Sequence, residues 1–94
     1  MVRTAKDESY SREHVIERAR ERYGLTLTET DYTTLNSRIA AEDAERLGEE
    51  GGDSFWGVPW EGEMLICVWS NALKRVTTLL PPGTTIRQKR RGKK

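Results

Sequence analysis

The segment "SREHVIERARERYGL", residues 11–25, holds the only histidine of the chain, His14, and sets Arg18 and Arg22 four and eight positions after it. An imidazole that titrates near neutrality can take a proton from a hydroxyl or give one to a leaving oxygen, a transfer worth about 10² to 10⁴ in rate. Two fixed guanidiniums can grip a phosphate bidentately and stabilise the charge that builds on it. At about 100° per residue the three side chains make one row along a helix, starting nearly opposite the apolar stripe and drifting to its border, with Arg22 nearest the core. The same residues also read as a solvated helix face, because Glu13, Glu17 and Glu21 are interleaved with Arg18, Arg20 and Arg22 and can pair with them.

The elements that must position this row follow from periodicity. Residues 1–9 have no apolar period and read as a flexible arm. A first helix starts near Ser9 or Ser11, buries Val15, Ile16, Ala19 and Tyr23, and stops at Gly24. "TETD", residues 28–31, sets a hydroxyl three positions before a carboxylate, the reciprocal cap of a helix start. The second helix is expected to run to about Arg46, with Tyr32, Leu35 and Ile39 inward, and to end at Gly48. "GEEGGDS" reads as a loop, and strands are expected at 54–60, 63–70 and 74–80, joined by a Glu61-Gly62 turn and by "SNAL". Pro59 lacks an amide proton, which places the first of these strands at an edge.

These turns put Trp56, Val58, Trp60, Leu65, Cys67, Trp69, Val76, Thr78 and Leu80 on one sheet face, and Phe55, Pro59, Met64, Ile66, Val68, Thr77 and Leu79 on the other. Two helices cover only one face of a small sheet, and the aliphatic face is the expected core. The tryptophan face then needs a cover of its own: a partner subunit, a ligand, the terminal arms, or the helices themselves if the sides are reversed. The domain plan is an arm over 1–9, a single α+β domain over 10–83 and a basic tail over 84–94.

Composition bounds the function. With 94 residues, 35% apolar and 33% charged, the chain is one small globular domain rather than two or a disordered segment. It has no apolar run that spans a bilayer and no signal-peptide core, so the cytoplasm is the expected location and no membrane partner is expected. The single Cys67, inside "MLICVW", reads as a buried thiol, and one cysteine with one histidine gives no zinc site. No metal and no cofactor is expected, and the absence of a GxxxxGK loop argues against nucleotide hydrolysis. "RQKRRGKK" carries six basic residues, and without them the formal charge of +1 falls to −5. Such a tail can hold phosphates, fold back on the acidic stretch 41–53, or keep the protein soluble.

The segment "HVIERARERYGL" resembles the opening helix of small proteins in the barnase, EndoU, colicin and RelE group, particularly BrnT-like and related branches found in toxin loci and phages. "WEGEMLICVWSNALKRVTTLLPP" is similar to the end of that pattern, so the resemblance covers roughly residues 9–82. It implies a RelE-like fold, two helices packed on a three- or four-stranded antiparallel sheet, and metal-independent RNA cleavage that leaves a cyclic phosphate. Carried over by position, His14 matches the helix histidine, Arg18 and Arg22 the following arginines, and Thr78 the strand threonine. Trp69 would stack on a base, and Lys74, Arg87, Lys89, Arg90 and Arg91 would contact the RNA backbone. Against this stand the acidic body and the bland readings of Thr78 as a strand former and of the tryptophans as core or interface.

The rival readings keep the fold without catalysis. In one, a phage or mobile-element accessory protein binds and inhibits a host protein through the tryptophan face and the acidic segment, which imitates nucleic acid. In the other, a structural homodimer is sealed by Trp56, Trp60 and Trp69.

Overall fold

A computed structural model describes residues 3–86, with side chains from Tyr10 onward. Helix α1 (Arg3–Tyr23) and helix α2 (Glu29–Ala40) precede strands β1 (Glu45–Glu50), β2 (Asp53–Trp60), β3 (Glu63–Ser70) and β4 (Arg75–Leu80). The strands form one antiparallel meander in the order β1-β2-β3-β4. This is the expected α+β architecture, with four strands.

Local signals fix much of it. Gly24 takes a left-handed φ of 69°, and Leu25 N donates to Ala19 O at the end of α1. Thr28 caps α2: Asp31 N donates to Thr28 Oγ1 at 3.1 Å, and Thr28 N donates to Asp31 Oδ2 at 2.9 Å. Glu61 and Gly62, at φ 48° and 84°, make the tight turn between β2 and β3.

Four expectations need correction. The backbone of residues 3–9 is helical, so α1 starts well before Ser9, and Ser11 is a buried member of its inner stripe rather than a cap. Met1 and Val2, the rest of the expected arm, lie outside the described residues. Helix α2 ends at Ala40 rather than near Arg46: Glu42 adopts φ 60°, and Asp43 N donates to Arg38 O at 2.7 Å, closing the helix without a glycine. The freed residues 45–50 become β1, which makes β2 an interior strand. Pro59 is tolerated there because β1 pairs with β2 only from Asp53 to Gly57, leaving Pro59 beyond the ladder.

The covered face is also the reverse of the expected one. Both helices pack on the tryptophan side, where Val15, Ala19, Leu35 and Ile39 meet Trp56, Val58, Leu65, Cys67 and Trp69 in one buried cluster. A bulge between Val68 and Trp69 inserts Thr77 into β4, so Val76 and Leu79 both face the helices, whereas Thr78, paired with Val68, faces the other way. The tryptophan seam is therefore not exposed: Trp56 is 6% and Trp69 8% accessible, and Trp60 packs half-buried against the same cluster.

The helices also close the β4 edge. Asn36 Oδ1 accepts from Val76 N at 2.8 Å and Tyr32 Oη donates to Val76 O at 2.7 Å. Arg22 Nη1 donates to Leu79 O at 2.8 Å. Farther along, the Tyr23 hydroxyl accepts from Ile66 N and donates to Leu80 O, bridging β3 and β4. Burial pushes its pKa upward. The opposite edge, β1, is short, bulged at Leu47 and carries three glutamates, which are ordinary defences against strand addition. Among the described residues no helix is long and apolar enough to cross a membrane.

Candidate functional site

A hollow of about 260 Å³ opens where the covered face runs past the end of α2. Ile39, Ala40 and Glu42 come from the α2 terminus, Arg46 from β1, Ser54 and Trp56 from β2, Trp69 from β3, and Asn71 and Lys74 from the turn into β4. It is smaller than the usual small-molecule site of about 300–1,000 Å³.

Its walls are tied by a chain of polar contacts. Trp56 Nε1 donates to Ser54 Oγ at 2.9 Å, and Ser54 Oγ donates to Asn71 Oδ1 at 3.3 Å. Asn71 Nδ2 reaches Glu49 Oε2 at 3.4 Å, and the same carboxylate receives Arg46 Nη2 at 2.7 Å. The Arg46 guanidinium lies 5.7 Å from the centre of the Trp56 ring, so its position is set by both a carboxylate and a π face. Ser54 is 3% exposed, and its hydrogen bonds fix the inner part of the wall.

The two sides of the hollow differ in sign. The α2 terminus brings the negative end of a helix dipole and the Glu42 carboxylate, whereas Arg46 and Lys74 bring positive charge. Two further features mark the rim. Glu42 and Lys74 both sit at φ 60°, in the left-handed region where glycine is the usual occupant. A side chain there costs about 1 kcal/mol or more. The helix end and the β3-β4 turn require the conformation; charged side chains occupy both positions and line the same hollow.

The residues expected to act together are divided. His14 is half-buried and its ring stacks on Tyr10, with centroids 5.8 Å apart and planes 14° from parallel. Arg18 Nη1 is held by Glu21 Oε1 at 2.7 Å. Arg22 is occupied by the β4 backbone, about 12 Å along the helix from His14 at 1.5 Å per residue. Thr78 lies on the sheet face that the helices do not cover, so the expected single groove between the helix row and the strand hydroxyl is not formed. Trp69 and Lys74, by contrast, share the hollow with Trp56. Arg87, Lys89, Arg90 and Arg91 lie outside the described residues.

Sequence reasoning missed Glu42, Arg46, Ser54 and Asn71. The expected longer second helix takes in Glu42 and Arg46, and Ser54 and Asn71 meet only through strand pairing. Cys67 is fully buried and its pKa is pushed up to about 12 by loss of water, which makes it an inert thiol. Among the described residues no cluster of His, Cys, Asp or Glu could hold a metal ion. No protein family, curated protein or solved structure matches this chain.

Proposed function

We propose that this protein binds single-stranded RNA, taking one nucleotide into the hollow at the end of α2. The observation that carries the reading is the meeting of Lys74 with Arg46, Ser54 and Asn71 around one opening; Trp69 and Trp56 are buried beneath it, so they form its floor and do not stack on a base. A nucleotide has the matching polarity: amino and imino donors on the base edge suit Glu42 and Asn71, and the phosphate suits Arg46 and Lys74. The narrow opening favours an unpaired nucleotide over a duplex. The resemblance of the first helix and the last strands to RNA-cleaving proteins points to the same class of partner. The basic tail adds salt-sensitive affinity for any phosphate backbone. The proposal is one of binding, because the four residues expected to cleave do not share a groove.

Anisotropy of a labelled, mixed-sequence single-stranded RNA oligonucleotide tests this with the full chain. Lys74→Glu and Arg46→Glu are each expected to weaken binding about tenfold and to reduce the salt slope by about one. Wild-type affinity in both variants would reject the hollow as the site, and no binding at about 50 mM salt would reject RNA as the ligand. His14→Ala is expected to bind normally, and cells expressing either form are expected to keep intact total RNA.

A further inference from the structure

The sheet face away from the helices is apolar across its middle. Phe55 on β2, Met64, Ile66 and Val68 on β3, and Leu80 on β4 share it, and none belongs to the helix-packed cluster; Ile66 and Val68 are nonetheless buried at the centre, and Phe55 and Leu80 are half-buried beside them. Gly57 lies among them. A Cβ there would stand 3.0 Å from Met64 Sδ and 3.5 Å from Leu47 Cδ1, so the missing side chain lets both lie flat across the strand. Met64 is nevertheless 42% exposed.

Strand addition is a poor way to cover this face. Edge β4 has its Val76 and Leu79 groups taken by Asn36, Tyr32 and Arg22, and edge β1 is bulged and acidic. Face-to-face packing remains.

The identity of the partner is written across one end of the sheet. Strand pairing aligns Glu50, Asp53, Ser70 and Arg75 in a single row on the bare face, from β1 to β4. Arg75, half-buried and paired with Ser70, ends this row on β4. A two-fold axis parallel to the strands, midway between two facing sheets, lays the row over its own reverse. Glu50 of one copy then faces Arg75 of the other, and Asp53 faces Ser70, twice over by symmetry. The apolar middle rows meet at the same time, in the aligned packing of two sheets about 10 Å apart.

We propose that a second copy of this chain packs on the face away from the helices, over the exposed Met64, forming a sheet-on-sheet homodimer held in register by Glu50–Arg75 pairs. This inference stands apart from RNA binding and is tested without RNA.

Sedimentation of the full chain over a range of concentrations reads the association, with thermal melts confirming that each variant is folded. Wild type is expected to dimerise. Met64→Glu, at an exposed position, is expected to abolish the dimer. Glu50→Arg or Arg75→Glu alone places like charges face to face and is expected to weaken association at least about tenfold. The double variant Glu50→Arg/Arg75→Glu is expected to return to wild-type affinity. Within one chain these residues stand three strand spacings apart, about 14 Å, which exceeds the screening length of about 10 Å at 0.1 M salt. Rescue must therefore act between copies. A monomeric wild type, a dimer unaffected by Met64→Glu, or a double variant as weak as the singles would each overturn the proposal.

Discussion

On one side of the sheet Trp56, Cys67 and Trp69 lie under Leu35 and Ile39; on the other, Phe55, Met64 and Val68 meet no helix. Both sides are apolar, so hydrophobicity does not decide which is covered. Bulk and polar chemistry do. The indole rings fill the gap between a helix layer and a sheet, and the Trp56 N–H finds Ser54 within the packing. The helices bring Tyr32, Asn36 and Arg22, whose polar atoms satisfy the β4 edge. The other side has Gly57 near its centre, with Phe55, Met64, Ile66 and Val68 around it, and no helix side chain reaches it.

The largest expected effect breaks this comparison at two adjacent residues. Leu65 is fully buried on the covered side, whereas Met64 points to the bare side. Leu65→Ala should cost about 2–5 kcal/mol, the range for a core leucine whose cavity does not collapse. Met64→Ala should stay within about 0.5 kcal/mol, as at an ordinary surface position. Urea unfolding at concentrations too low for association measures both. Equal losses would mean that the two faces are equally packed in one chain, and the contrast would fail.

How far the sequence discloses this arrangement depends on the range over which each decision is made. The stripe of Val15, Ala19 and Tyr23, the Thr28 cap and the Glu61-Gly62 turn depend on residues within a few positions of each other, and all were legible. The choice of face was not, because a strand period of two separates the faces without saying which one the helices meet. The bulge at Thr77 reversed Thr78 and Leu79, and a bulge is a property of paired strands. Strand β1 was hidden by "AEDAERLGEE", whose composition suits a helix and whose true helix end lacks a glycine. The hollow gathers residues from five segments, of which sequence spacing marks only Trp69 and Lys74 for binding and places Trp56 at an interface.

A smaller effect sharpens the contrast through water exclusion. The Cys67 thiol, on the covered side, has its pKa pushed from its ordinary value of 9.0 to about 12. Between those values the unfolded chain loses a proton that the folded chain keeps, so stability is complete below pH 9 and falls as pH rises toward 12. At pH 10 the loss from this one group is about 1.4 kcal/mol. Tyr23, raised by the same cause from 10.0, adds a decline that begins about one unit higher. Melts across alkaline pH should therefore show the Cys67→Val variant holding its stability until the tyrosine region. A decline that still starts at pH 9 in that variant would show that a group other than the Cys67 thiol causes it.

The smallest expected effect concerns the place where the covered side runs out of cover. Glu42 stands at φ 60° on the rim of the hollow, whereas Glu61 stands at φ 48° in the hairpin turn, outside that lining. Replacing either by glycine relieves the same left-handed strain and should stabilise the fold by about 0.5–1 kcal/mol, partly offset by the freedom glycine gains when unfolded. The two differ in function. Glu42→Gly removes an acceptor from the hollow and should weaken RNA binding while raising the melting temperature, whereas Glu61→Gly should raise the melting temperature alone. Strain kept at a binding rim but not put to use in a turn is the pattern expected if selection tolerates it for the ligand. If both variants melt higher and bind equally well, Glu42 has no role in the hollow, and base recognition must rest on Asn71 and the cations.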